Sequence, residues 1–180
     1  MKKIVLVLFA LMAVVSVNAQ VYVGGTLGLW HNDDADMTNF SIAPEIGYNI
    51  NKKWAVGAEL GYVHSNTNVT LGNFSGSVKT NAFAIAPYAR YSFYENKLVR
   101  LFIDGGLGFS TYKVDVDGAD ATNGFEIGVK PGLAIKLNNH FSLVAKCGFL
   151  GYRDDYMVGE NGYGFALTSE NLSFGFHYEF

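Results

Sequence analysis

"NLSFGFHYEF", residues 171–180, closes the sequence. Read in steps of two it gives Leu172, Phe174, Phe176, Tyr178 and Phe180, separated by Ser173, Gly175, His177 and Glu179. Strict alternation of this kind describes a β-strand with one apolar and one polar face. A face with four aromatic rings has to be withdrawn from water, into a protein core or into lipid.

The same alternation recurs toward the N-terminus. Val21, Val23, Leu27 and Leu29 share one face, as do Phe40, Ile42, Pro44, Ile46 and Tyr48. Trp54, Val56, Ala58, Leu60 and Tyr62 form a third set, and Phe83, Ile85, Pro87, Ala89 and Tyr91 a fourth. Leu101, Ile103, Leu107 and Phe109 follow, then Phe125, Ile127, Val129, Pro131, Leu133 and Ile135. Phe141, Leu143, Ala145, Cys147 and Phe149 make a seventh set. With the terminal stretch there are eight strands, and an even number lets an up-and-down antiparallel sheet close on itself.

The expected connections alternate in length. Short ones fall near Asn51-Lys52, Glu95-Asn96 and Asn138-Asn139, and long ones at about 31–38, 65–79, 112–122 and 153–164. Short turns at one end and long loops at the other mark a transmembrane barrel. The three prolines, Pro44, Pro87 and Pro131, lie 43 and 44 residues apart, each shortly before a short turn, so the repeat unit is one hairpin. Proline removes a ladder hydrogen bond, so a local irregularity is expected at each.

Composition agrees. The 180 residues suit one domain, with 21 glycines, 15 % aromatic and only 16 % charged residues. A net charge of -3 gives no reason to expect a nucleic-acid partner, and the lone Cys147 excludes an internal disulfide. Residues 1–19 read as a cleaved signal peptide. Lys2 and Lys3 precede an apolar stretch from Ile4 to Val15, and Val17-Asn18-Ala19 is a small-residue cleavage pattern. The barrel domain is then 20–180, in a chain that leaves the cytoplasm. No apolar run after Gln20 is long enough for a transmembrane helix.

Charge placement decides which face meets lipid. The polar faces hold Glu45, Glu59, Asp104, Glu126 and Glu179 against Arg90, Arg100, Lys130, Lys136 and Lys146, with His177 among them. The long loops carry Asp33, Asp34, Asp36, Asp115, Asp117, Asp120, Asp154, Asp155 and Glu160, against Lys79, Lys113 and Arg153. Lys52, Lys53, Glu95 and Lys97 fall in short turns, and only Glu170 is in phase with an apolar face. A lysine or arginine facing lipid at mid-bilayer costs about 2–4 kcal/mol, so the apolar faces point outward. A soluble lipocalin-like barrel would have the reverse arrangement. Aromatics also fall in two belts: Phe40, Tyr62, Phe83, Phe109, Phe125 and Phe149 toward the loops, and Tyr48, Trp54, Tyr91, Phe93, Phe141 and Tyr178 toward the turns.

On these features the chain resembles the small outer-membrane β-barrel proteins of the OmpA/OmpX type and their "porin family" relatives. The terminal Leu172-x-Phe174-x-Phe176-x-Tyr178-x-Phe180 carries the likeness most specifically, supported by Gly24-Gly25 through Trp30, Gly47-Tyr48 and Gly61-Tyr62. The resemblance implies an all-β, eight-stranded antiparallel up-and-down transmembrane barrel in the cell outer membrane, facing its lipid and lipopolysaccharide. It also implies that the terminal residues act as the signal by which the barrel assembly machinery recognises the chain. The peptidoglycan-binding module of longer relatives is expected to be absent after Phe180.

An eight-stranded barrel is just wide enough for side chains to fill it. Balanced inward charges should pair there, because an unpaired buried charge is costly. The expected function is a structural, surface-displaying barrel with a plugged lumen and an unidentified ligand for its loops. The alternative is a minor or gated channel for ions or small solutes. A lipid A-modifying enzyme is a weaker third reading. His140-Phe141-Ser142 imitates a His-x-Ser pair but sits at a short turn, and His31 and His64-Ser65 lack partner sets. Asp115–Asp120 is acidic, but its glycine falls too early for a calcium loop. No cofactor, metal or catalytic residue is expected.

Overall fold

The computed structural model describes residues 20–32, 37–71, 74–115, 120–158, 161–167 and 172–180. Residues 1–19, expected to be a signal peptide, and Asp33, Asp34, Asp36, Asp117, Glu160 and Glu170 lie outside these residues.

Among the described residues ten strands build the wall: β1 Val21–Asn32, β2 Met37–Asn49, β3 Trp54–Leu71, β4 Phe74–Glu95, β5 Val99–Val114, β6 Thr122–Lys136, β7 Phe141–Cys147, β8 Phe149–Asp154, β9 Gly162–Ala166 and β10 Leu172–Glu179. They make eight staves, since β7 and β8 are two parts of the seventh and β9 and β10 of the eighth. Every pairing is antiparallel. β10 returns to β1 from Tyr22↔Glu179 to Thr26↔Gly175, which closes the barrel. The all-β, eight-stranded antiparallel barrel expected from the alternation is the fold.

The outer face is apolar: Ile42, Ile46, Val56, Leu60, Ile85, Leu107, Ile127, Leu143, Phe174 and Phe176 are all exposed to the surroundings. Ring pairs reinforce the turn end of that face. Trp54 packs on Tyr91 at 4.8 Å, Phe141 on Tyr178 at 4.9 Å, and Tyr178 on Phe180 at 4.9 Å.

Each proline interrupts one ladder. The β2–β3 register skips residues 43 and 44, and the β4–β5 register skips 86 and 87. β6 leaves β7 at Gly132 and takes up β8 at Val129, so Pro131 sits at the break. A residue without an N–H thus sits where one of its two ladders is already interrupted.

Three expectations are corrected: the extent of the β3–β4 loop, the extents of two further loops, and the facing of one aromatic residue. The segment 65–79 is mostly strand, because the β3–β4 ladder runs unbroken out to Leu71↔Phe74. β-branched Thr67, Val69, Thr70, Val78 and Thr80 favour extended backbone there although the apolar alternation has ended. The segments 31–38 and 112–122 are likewise shortened, with β1 and β2 paired to Asn32↔Met37 and β5 and β6 to Tyr112↔Thr122. The third correction is Phe149. It does not belong to the outer belt: it is 6 % exposed and lines the lumen. Gly148, in the left-handed region at φ +74°, inserts a single residue between β7 and β8 and reverses the phase of the strand beyond it. Leu150 and Tyr152 consequently become the outward residues.

Candidate functional site

The inner face holds small residues and large rings in complementary positions. A Cβ on Gly47 would lie 2.1 Å from the Tyr22 ring, one on Gly132 2.3 Å from Phe102, and one on Gly128 2.6 Å from Phe149. Glycine on one stave thus leaves the room that a ring from another occupies, which is one reason the chain is glycine-rich. Phe102, with Ala134 and Val144, is fully enclosed.

At mid-barrel, seven of the eight staves contribute to one polar cluster. Arg90 from β4 grips Asp104 of β5 through two bonds, Nε to Oδ1 at 2.7 Å and Nη2 to Oδ2 at 2.8 Å. Its guanidinium lies 4.0 Å over the Phe102 ring and its Nη1 is 3.4 Å from His177 Nδ1. Lys146 Nζ of β7 donates to Glu45 Oε2 at 2.8 Å and Glu59 Oε2 at 2.9 Å, and stands 3.6 Å from Asp104 Oδ2. Glu45 also meets His177 Nε2 and accepts from the Tyr88 hydroxyl at 3.2 Å. Tyr88 in turn shares a 2.7 Å bond with the Tyr22 hydroxyl, and Tyr22 stacks on His177. Bidentate, fully enclosed pairing of this kind combines strength with fixed geometry.

A second cluster lies toward the loops. Glu126 of β6 accepts from Lys130 Nζ at 2.6 Å and from Arg153 Nε at 3.0 Å. The Arg153 guanidinium covers the inward Phe149 ring at 3.9 Å. Above it a short 3-10 turn at Tyr156–Val158 folds back into the mouth. Tyr156 is buried there against Gly108 and Gly124, and the Met157 N–H donates to Ser110 Oγ at 2.9 Å.

The third cluster closes the turn end. Arg100 donates to Glu179 at 2.8 Å and to Glu95 at 3.2 Å, and Lys136 joins Glu95. All eleven lumen residues expected from the sequence therefore face inward or line a mouth, and every charged member has an opposite partner. Sequence reading missed two. Glu95, counted with a turn, and Arg153, counted with a loop, raise the balance to six acids against six bases.

Between the central and upper clusters lies a cavity of about 30 Å³ bordered by Glu59, Asp104, Glu126, Lys130 and Lys146. That is room for about one water molecule. Wider openings of about 270 and 300 Å³ flank the network at the loop and turn ends.

The candidate catalytic features do not converge. His140 Nδ1 bonds the Glu179 carbonyl oxygen at 2.8 Å and its ring stacks on Tyr178, while Ser142 is buried in the lumen. His64 Nδ1 is tied to Asn81 Oδ1 at 2.8 Å. No group of three metal-ligating side chains occurs among the described residues. The His31 side chain lies outside them.

An apolar exterior around a paired, charged interior is the arrangement of a barrel whose solvent is lipid. The family profile described as "Outer membrane protein beta-barrel domain" matches residues 4–180. The chain belongs to that family. Its place is accordingly the cell outer membrane, among lipid and lipopolysaccharide. Among solved structures, Neisserial surface protein A is similar at 17 % identity and a TM-score of 0.50, covering 89 % of this chain and 96 % of that one. Ail, the attachment invasion locus protein of Yersinia pestis, is similar at 15 % identity and a TM-score of 0.46, covering 88 % of this chain and 91 % of that one. At its identity the likeness to the Neisserial protein speaks for the fold alone. No curated protein matches by sequence.

Proposed function

We propose that this protein is a closed barrel that serves as a rigid outer-membrane platform, presenting its loop-end hairpins at the cell surface and conducting nothing through its lumen. The observation that carries the reading is the balance of the interior. Six acids and six bases are paired in three tiers, and the space between the upper two is about the size of one water. General diffusion would require most of these bonds to break together. The protein performs no catalysis in this reading, and its surface partner is met by the hairpins.

The turn end is then periplasmic, with residues 1–19 serving as the export signal. Cysteine labelling in intact cells tests the orientation. A membrane-impermeant maleimide should modify an Asp120→Cys variant and spare an Asn139→Cys variant; the reverse pattern overturns it.

In the same reading the last stave is also an assembly address. Phe174 and Phe176 face outward in phase, ready to meet the assembly machinery before lipid. Leu172, Tyr178 and Phe180 complete the sequence motif. Deleting Phe180 should deplete the barrel from the outer membrane of cells while leaving refolding in detergent intact. Equal loss in both settings would reduce the residue to a structural role.

A further inference from the structure

The turn end carries a groove that the lumen network does not use. It has a volume of about 600 Å³ and runs between the β2–β3 and β4–β5 turns, lined by Lys52, Lys53, Phe93, Lys97 and Lys136, with Glu95 the acid on its wall. Both turns are locked. Asn51 Oδ1 accepts from the N–H groups of Lys53 and Trp54, and Asn96 Oδ1 from those of Leu98 and Val99. The lysines therefore stand on fixed backbone.

Their charge is uncompensated. Two carboxylate side chains, Glu95 and Glu179, lie at this end, and Arg100 binds both. Lys136 shares Glu95 with Arg100. Lys52, Lys53 and Lys97 make no ion pair with a described residue. One lip of the groove is apolar and belongs to the membrane face. The bulge between Ser92 and Tyr94 leaves Phe93 and Tyr94 exposed side by side, next to the Trp54–Tyr91 ring pair.

We infer that this groove binds the phosphate of an anionic phospholipid headgroup, with Lys52, Lys53 and Lys97 as its cationic contacts and Trp54 and Phe93 against the start of the acyl chains. Interfacial aromatics sit at headgroup depth, and lysines at that depth attract anionic lipid. A soluble polyanion would use the lysines but gain nothing from the continuous aromatic lip, so the lipid is the better fit. The inference is independent of which end faces the periplasm and of whether the lumen conducts.

Quenching of Trp54 by brominated lipid tests it. The chain has two tryptophans, so Trp30→Phe isolates Trp54, which lines the adjoining opening beside the groove together with Lys52 and Lys53. The full barrel is refolded into phosphatidylcholine vesicles containing either brominated phosphatidylglycerol or brominated phosphatidylcholine. Brominated phosphatidylglycerol should show an apparent affinity at least about fivefold higher, the scale of one of the three lysine–lipid contacts. The preference should vanish in Lys52→Gln/Lys53→Gln/Lys97→Gln and in high salt, while quenching by brominated phosphatidylcholine stays unchanged. Equal quenching by the two lipids, or a preference that survives the triple substitution, would overturn the inference. So would loss of the preference on adding free glycerol phosphate, which would identify a soluble-anion site. Should Trp30→Phe fail to refold, the protein with both indoles gives the same comparison at reduced amplitude.

Discussion

The first six staves and the last two are built differently. β1 to β6 are unbroken strands, the longest being the 22 residues of β4. Each keeps its outward face in phase with its sequence alternation, except at the Ser92–Tyr94 bulge near the end of β4. The seventh stave is split, β7 from β8 at Gly148, and the eighth is described in two parts, β9 and β10. The split changes what the interior contains. In the regular part, inward residues are set by parity and form the enclosed Arg90–Asp104 pair, and Lys146 of β7, still in phase before the break at Gly148, joins them through Glu45. In the split part, one left-handed glycine turns Phe149 and Arg153 inward and leads the chain into the turn that seats Tyr156 in the mouth. In-phase strand segments thus make the enclosed core of the lumen, and the stretch beyond Gly148 completes its loop-end closure around Glu126.

If that distinction holds, the two clusters should differ in cost when cut. Arg90→Ala strands Asp104 in a site where the arginine is only 3 % exposed. Removing one partner of a buried pair costs about 3–5 kcal/mol, measurable as a lower urea midpoint in lipid vesicles. Glu126→Ala strands Lys130 and Arg153, whose side chains keep 29 % and 27 % of their exposure. Water can reach them, so the loss should be about 1.5–3 kcal/mol. Equal losses would erase the difference between core and closure.

Gly148→Ala sharpens the comparison at its origin. A non-glycine residue in the left-handed region costs about 1–2 kcal/mol, and the new Cβ would lie 2.7 Å from the Ala166 carbonyl oxygen. The urea midpoint should fall by about that amount, with faster proteolysis confined to the segment between β8 and β9. An unchanged midpoint would mean that the phase reversal has another cause.

The same contrast explains what the sequence reveals. Strand number, closure and the outward face follow from alternation wherever parity is preserved. A single inserted residue has no periodic signature, so Phe149 reads as lipid-facing until the backbone angle of Gly148 is known. Arg153 precedes Asp154-Asp155 and passes for a loop cation for the same reason. Glu95 follows the Ser92–Tyr94 bulge, where parity again slips. Pairing partners are illegible for a different reason: the His177–Glu45 contact joins residues 132 apart, and alternation fixes a face but not a height in the barrel. The inward rings of Tyr22 and Phe102 left one trace, the glycines at 47 and 132 that make room for them.

The closed lumen is the central claim, and planar-bilayer recording of the refolded barrel tests it most directly. The native protein should remain silent, with no steady openings at neutral pH. The Arg90→Ala/Glu126→Ala double variant, cut in both tiers, should show openings in the fraction that refolds. Steady openings of the native barrel would contradict the account.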